Sequence, residues 1–167
     1  MIEKIDSIIK EQLIILKNRN STIWDGSEYE DVKKSNNTAK GDFGEKVTNK
    51  ILSNIGLASK IVNKGKGDFD ILINEKLKIE HKLATLDTNN SFQFNGIKKY
   101  IDYDYVFCLG VSPNKLWFKI VSKDWCNNNL STSMTKNGDD TYKYTVKENN
   151  MTSLNLDNIK EEIYKIV

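Results

Sequence analysis

KGKGDFDILINEKLKIEHKL, residues 64–83, decides how the rest of the chain reads. Gly65 and Gly67 punctuate a lysine-rich approach to Asp68, Phe69 and Asp70, and Ile71-Leu72-Ile73 follows as a short apolar run. Asn74-Glu75 supplies a turn. Leu77 to Leu83 then alternates apolar and polar residues, the pattern of a half-buried strand. Side chains two apart in a strand share a face, so Glu80 and Lys82 point one way while Ile79, His81 and Leu83 point the other. A hairpin turning at residues 74–76 sets Asp70 across from Glu80 and gathers two carboxylates and an ammonium at one spot. Asp68 shares a strand face with Asp70, so spacing leaves either as the first carboxylate.

Carboxylate oxygens are hard ligands that suit Mg²⁺, which takes one or two of them and completes its shell with water and phosphate oxygens. A lysine beside such an ion can orient or deprotonate a water and neutralise charge developing on a phosphate. Other chemistries have little to work with. His81 is the only histidine and lies on the strand face opposite the acids, which excludes Ser-His-Asp hydrolysis, H-N-H nucleases and zinc-protease sites. Cys108 in an apolar run and Cys126 after a tryptophan lack Cys-x-x-Cys spacing, so they read as reduced thiols rather than zinc ligands or a disulfide.

Asp70, nine intervening residues, then Glu80-His81-Lys82 resembles the D-x(n)-(D/E)-x-K signature of the PD-(D/E)XK nuclease superfamily. The surroundings extend the likeness: GDFGEKVTNKILSNIG upstream (residues 41–56), a helix with a glycine-glutamate pair, and FQFNGI (residues 92–97) followed by a buried strand downstream. The resemblance spans residues 40–125 and is nearest in flavour to the small Type II restriction endonucleases. It departs at one point, with Phe69 where the name has proline.

This resemblance implies an α/β fold, a restriction-endonuclease-like core with a central mixed β-sheet flanked by helices. It also implies Mg²⁺-dependent, sequence-specific cleavage of double-stranded DNA, with Mn²⁺ able to substitute. It selects Asp70 over Asp68, because Asp70 directly precedes the apolar run. Asp70 and Glu80 then hold metal with the backbone carbonyl of His81 as a further ligand. Lys82 works on the attacking water, Glu45 reaches in from the upstream helix, and Gln93 supports the site or the DNA backbone. A Type II enzyme further implies a homodimer, one site per strand, and a cognate DNA methyltransferase protecting host DNA. Two rivals remain: a structure-specific nuclease of the resolvase or phage recombination kind, and a non-catalytic DNA-binding module of the same fold. The intact acid-acid-lysine set weighs against the second.

The remaining sequence is organised around that core. At 167 residues the chain predicts a single domain. A net charge of +2 places any nucleic-acid binding on local lysine clusters rather than the overall field. Arg19 is the sole arginine, so base reading would fall to lysine, asparagine, glutamine and hydroxyl groups. Residues 2–17 form an amphipathic helix expected to cover the core, with a subunit interface as the sharper option. Residues 41–56 form a second helix, capped by Thr38 or Asp42 and stopped by Gly56, with Phe43, Val47, Ile51 and Ile55 as its main apolar stripe. The central sheet, of about four or five strands, takes residues 105–111 and 116–121 as a buried hairpin. Asn95, Lys98 and Lys99 add a basic patch near Tyr100. In residues 127–150 the Asn137-Gly138 turn predicts a polar C-terminal β-hairpin carrying Lys136, Asn137 and Lys143 toward DNA. Residues 154–167 close the chain as an amphipathic helix. The acid-bearing N-terminus and the lack of a membrane-length apolar run predict a cytoplasmic protein with no membrane partner.

Overall fold

The structure, a computed structural model, describes residues 2–20, 22–62, 68–99, 101–129, 134–136 and 141–167. Three helices open it: α1 (Ile2–Asn20), α2 (Glu30–Lys34) and α3 (Asn37–Asn54). Then come β1 (Ser59–Ile61), β2 (Ile71–Ile73), β3 (Leu77–Thr85), β4 (Ser91–Lys98), β5 (Tyr105–Ser112) and β6 (Lys115–Ser122). After α4 (Lys123–Asn128) follow β7 (Met134–Lys136), β8 (Thr141–Lys147), β9 (Thr152–Ser153) and α5 (Leu156–Ile163).

A mixed six-stranded sheet in the order β1-β2-β3-β5-β6-β9 forms the centre. The β2–β3 hairpin turns on Asn74 and Glu75, both left-handed at φ 51° and 54°, as a tight turn matching strand twist requires. Ile71 pairs with Ile79 and Ile73 with Leu77, so the next pair along is Asp70 and Glu80, the expected register. The single parallel junction joins β3 to β5, with Glu80 beside Val106 and Lys82 beside Cys108.

Parallel neighbours need a crossover. Here residues 86–104 make it, and they carry β4 out of the central sheet into a second one, ordered β4-β8-β7. Each side of the central sheet thus has its own core. Ile79, Phe107, Leu109 and Phe118 pack with Leu52 of α3, Ile55 just after it, and Ile159 and Ile163 of α5. On the other side Ala84, Val106 and Cys108 pack with Phe92, Phe94 and Ile97 of β4 and Tyr144 and Val146 of β8. Where the two sheets cross, Gly110 meets Phe92 so closely that an added Cβ would lie 3.0 Å from its ring.

Several expectations change. The central sheet has six strands rather than four or five, because the short β1 and β9 extend its edges. In residues 127–150 β7 and β8 do pair as the expected antiparallel hairpin, but it is not free: β8 docks on β4, and Tyr144 and Val146 are buried. The Asn137-Gly138 turn lies outside the described residues. Helix α3 starts earlier than expected, with Asn36 as its cap accepting from the Ala39 N–H at 2.9 Å. Its buried face is Gly44, Glu45, Thr48 and Leu52, not the Phe43–Val47–Ile51 stripe, because it lies against a partly polar strand. Helix α1 does not cover the core. Its Ile5, Ile8, Ile9, Leu13 and Leu16 are each about half exposed, since α3, α5 and the second sheet already occupy both sheet faces. Among the described residues, no helix is long and apolar enough to cross a membrane.

Candidate active site

Strand β2 stops at Ile71 while β3 runs on to Thr85. From His81 onward the β2-facing edge of β3 therefore has no strand beside it among the described residues, and edge groups there must find partners elsewhere. Asp70, just before β2, provides one: its Oδ2 accepts the His81 N–H at 2.7 Å. In a strand the N–H and C=O of one residue point to the same edge. The His81 carbonyl therefore faces this gap too.

A cleft of about 450 Å³ opens there. Its floor is Asp70 with His81, Lys82 and Leu83. Asn37, Lys40, Gly41 and Glu45 of α3 form one wall, and Asn95 and Gly96 of β4 with Thr141 of β8 form the other. The second wall exists because β4 is bulged between Phe94 and Ile97. Gly96 takes φ 72° there, a conformation glycine adopts without strain, and the bulge turns Asn95 toward the cleft.

Glu80 lies beneath, buried, with Lys82 Nζ donating to its Oε1 at 2.5 Å. Burial pushes the Glu80 carboxyl above its usual range. Lys82 opposes that rise, and the nearby Asp70 carboxylate adds to it. The Glu80 carboxyl thus has an ammonium and a second carboxylate as its charged neighbours among the described residues.

His81 belongs to the other face. Its ring is buried, stacks on Phe107 with centroids 5.7 Å apart, and shares a 3.0 Å hydrogen bond through Nε2 with Thr48 Oγ1. Burial holds its pKa down at about 3, so the imidazole is neutral and structural. Gly44 makes this packing possible: a Cβ there would sit 2.5 Å from His81 Cε1. Since the ring is pinned by Thr48 and Phe107, overpacking in Gly44→Ala outweighs the helix gain, leaving stability about 1–2 kcal/mol lower. Thermal melts that drop by roughly 3–6 °C check this.

Asp70, Glu80, Lys82 and Glu45 thus meet at one edge, and Asn95 joins them from the second sheet. Asp68 does not: it is exposed and accepts from the Asp102 N–H at 3.3 Å. Gln93 is exposed and donates to Asp87 Oδ2 at 3.0 Å, away from the cleft. Lys98 and Lys143 stand with Gln93 on the second sheet, outside the cleft lining, and Lys99 follows β4. The Lys136 side chain and Asn137 lie outside the described residues. Asn37, Lys40, Gly41 and Thr141 are cleft residues that sequence reading missed. Only the fold brings the start of α3 and the start of β8 to the same edge.

Neither the family models nor the curated proteins contain a match to this chain.

Among the described residues, no three His, Cys, Asp or Glu side chains group closely enough to hold a metal ion by themselves. Mg²⁺ asks for less, one or two carboxylates with water and phosphate oxygens completing six positions. Asp70 and Glu80 are two carboxylates of that kind, with the His81 carbonyl on the same strand edge, and burial raises the Glu80 carboxyl before the Asp70 charge adds to it. Both cysteines are buried with their thiols pushed up by burial, which leaves no activated sulfur nucleophile.

Proposed function

We propose that this protein is a Mg²⁺-dependent endonuclease of the PD-(D/E)XK kind acting on double-stranded DNA, with Type II restriction as the specific activity. One observation carries the reading: Asp70, Glu80 and Lys82 converge on the unpaired edge of β3 with Glu45 on the adjacent wall. A bound Mg²⁺ would supply charge neutralisation at the scissile phosphate and a water of lowered pKa. Asp70 and Glu80 would hold the ion, the His81 N–H fixing the Asp70 carboxylate in place. Lys82, held over Glu80, would orient the attacking water, and would take its proton only on first passing its own to the Glu80 carboxylate it touches. Glu45 would act from the α3 wall, through water or directly. On the second sheet, Gln93, Lys98 and Lys143 offer amides and ammoniums to the duplex.

Cutting both strands takes two such sites, so the active form in this reading is a homodimer. A restriction role also calls for a partner DNA methyltransferase. Incubating the protein with plasmid DNA in Mg²⁺, Mn²⁺ or EDTA tests the proposal. Discrete fragments with either metal and none in EDTA are expected. Cutting confined to branched DNA would instead support a structure-specific nuclease, and binding without cleavage a non-catalytic module.

A further inference from the structure

The cleft is larger than its carboxylate end. Lys82 is committed to Glu80, and Asp70 and Glu45 add negative charge, so that end on its own repels a phosphate backbone. The same cleft also holds a cation. Lys40 projects from α3 into the cleft and forms no ion pair among the described residues. It stands close enough to Lys33 to push that ammonium down, second only to burial as a cause. Lys33 is itself occupied, donating to Thr85 Oγ1 at 3.1 Å and to the Leu86 carbonyl. An anion beside Lys40 would relieve this like-charge crowding.

A second observation is independent of charge. Gly41 sits inside α3, where glycine weakens a helix, yet no neighbour requires it: a Cβ there would meet only Glu45 Oε1, at 4.0 Å. Across the cleft Gly96, whose φ of 72° already calls for glycine, would with a Cβ meet nothing within 4 Å among the described residues. Two bare backbone stretches facing one gap suit the close approach of a ligand. Gly44, one turn on, is explained by His81. Among the described residues, nothing explains Gly41 in that way.

We propose that Lys40 and Gly41, facing the Asn95–Gly96 bulge, form a phosphodiester subsite that grips the backbone phosphate next to the one cut. The inference rests on the nuclease reading for its role, but it is tested by binding, without metal. Lys40 is a positioning residue. It anchors the strand while the carboxylate end works.

The test measures affinity for a short DNA duplex in EDTA across a salt series, alongside cleavage in Mg²⁺. Lys40→Ala should weaken binding roughly tenfold at low salt and reduce the salt slope by about one, with Lys40→Arg restoring both. In cleavage, KM should rise with kcat nearly unchanged. Lys50→Ala removes the same charge from an exposed position of α3 outside the cleft and should leave the slope nearly unaltered. Gly41→Ala should melt higher yet bind more weakly, a split that a purely structural glycine would not give. The subsite is overturned if Lys40→Ala matches the native protein, if Lys50→Ala weakens binding equally, or if the native protein does not bind the duplex. Binding with the expected Lys40 pattern but no cleavage would keep the subsite and discard the nuclease.

Discussion

Lys82→Ala is expected to lower DNA cleavage by about 10²–10⁴-fold while leaving duplex binding nearly intact. Among the described residues, Lys82 is the ammonium that touches the buried Glu80 carboxylate, and in the proposed chemistry it also handles the attacking water. Its loss removes a proton-transfer group and raises the Glu80 carboxyl further, weakening the hold on Mg²⁺ as well. The two effects separate by metal titration. Lost water chemistry lowers kcat at saturating Mg²⁺, whereas lost metal affinity is recovered as Mg²⁺ is raised. Lys82→Arg keeps the charge but not the ability to give up a proton, so it should restore metal affinity without restoring the rate. Single-turnover cleavage across a Mg²⁺ series checks both. Full activity in Lys82→Ala would remove this lysine from the mechanism.

The second large effect is on stability in acid. His81 has an ordinary pKa of 6.5 and is held down to about 3 in the folded protein by burial, with the Lys82 charge adding to it. Below 6.5 the unfolded chain binds a proton that the native chain refuses, so stability falls as pH drops through the window from 6.5 to about 3. The slope is about 1.4 kcal/mol per pH unit, enough to account for much of a domain's margin by pH 4. Glu80 acts in the opposite sense. Its raised carboxyl means the native state takes up a proton first, so stability falls as pH rises from its ordinary 4.5 toward the raised value. Denaturant unfolding in EDTA at stepped pH should show the acid loss in the native protein. His81→Phe should flatten it, since the ring can still stack on Phe107. At neutral pH that variant loses the Thr48 hydrogen bond, at about 1 kcal/mol. An unchanged acid slope would show that His81 does not dominate the window.

The sequence disclosed the site in proportion to how local its geometry is. The pairing of Asp70 with Glu80 depends on ten residues, one turn and the alternation of a strand, all readable in order. Glu45 was reached through family likeness, but the burial of its helix face was misjudged. Thr48 and Glu45 look like surface residues, and they are buried because they meet His81 and the open strand edge rather than an apolar sheet. Lys40, Gly41 and Thr141 left no signal. Thr141 reaches the cleft only because β8 pairs with β4 across some fifty residues of chain, and such pairings carry no local pattern. The apolar residues of α1 read as a face that covers the core, yet those described are about half exposed, because no sheet face is left for them to cover.

The crossover between β3 and β5 has a practical implication for redesign. One segment both connects β3 to its parallel neighbour β5 and builds a wall of the cleft, and it is seated by Phe92 packed against the bare backbone of Gly110. Anyone transplanting a different β-ribbon onto this scaffold would have to transplant that fit as well. A donor ribbon lacking the aromatic, or a recipient with any side chain at 110, would tilt the wall and change the width of the cleft.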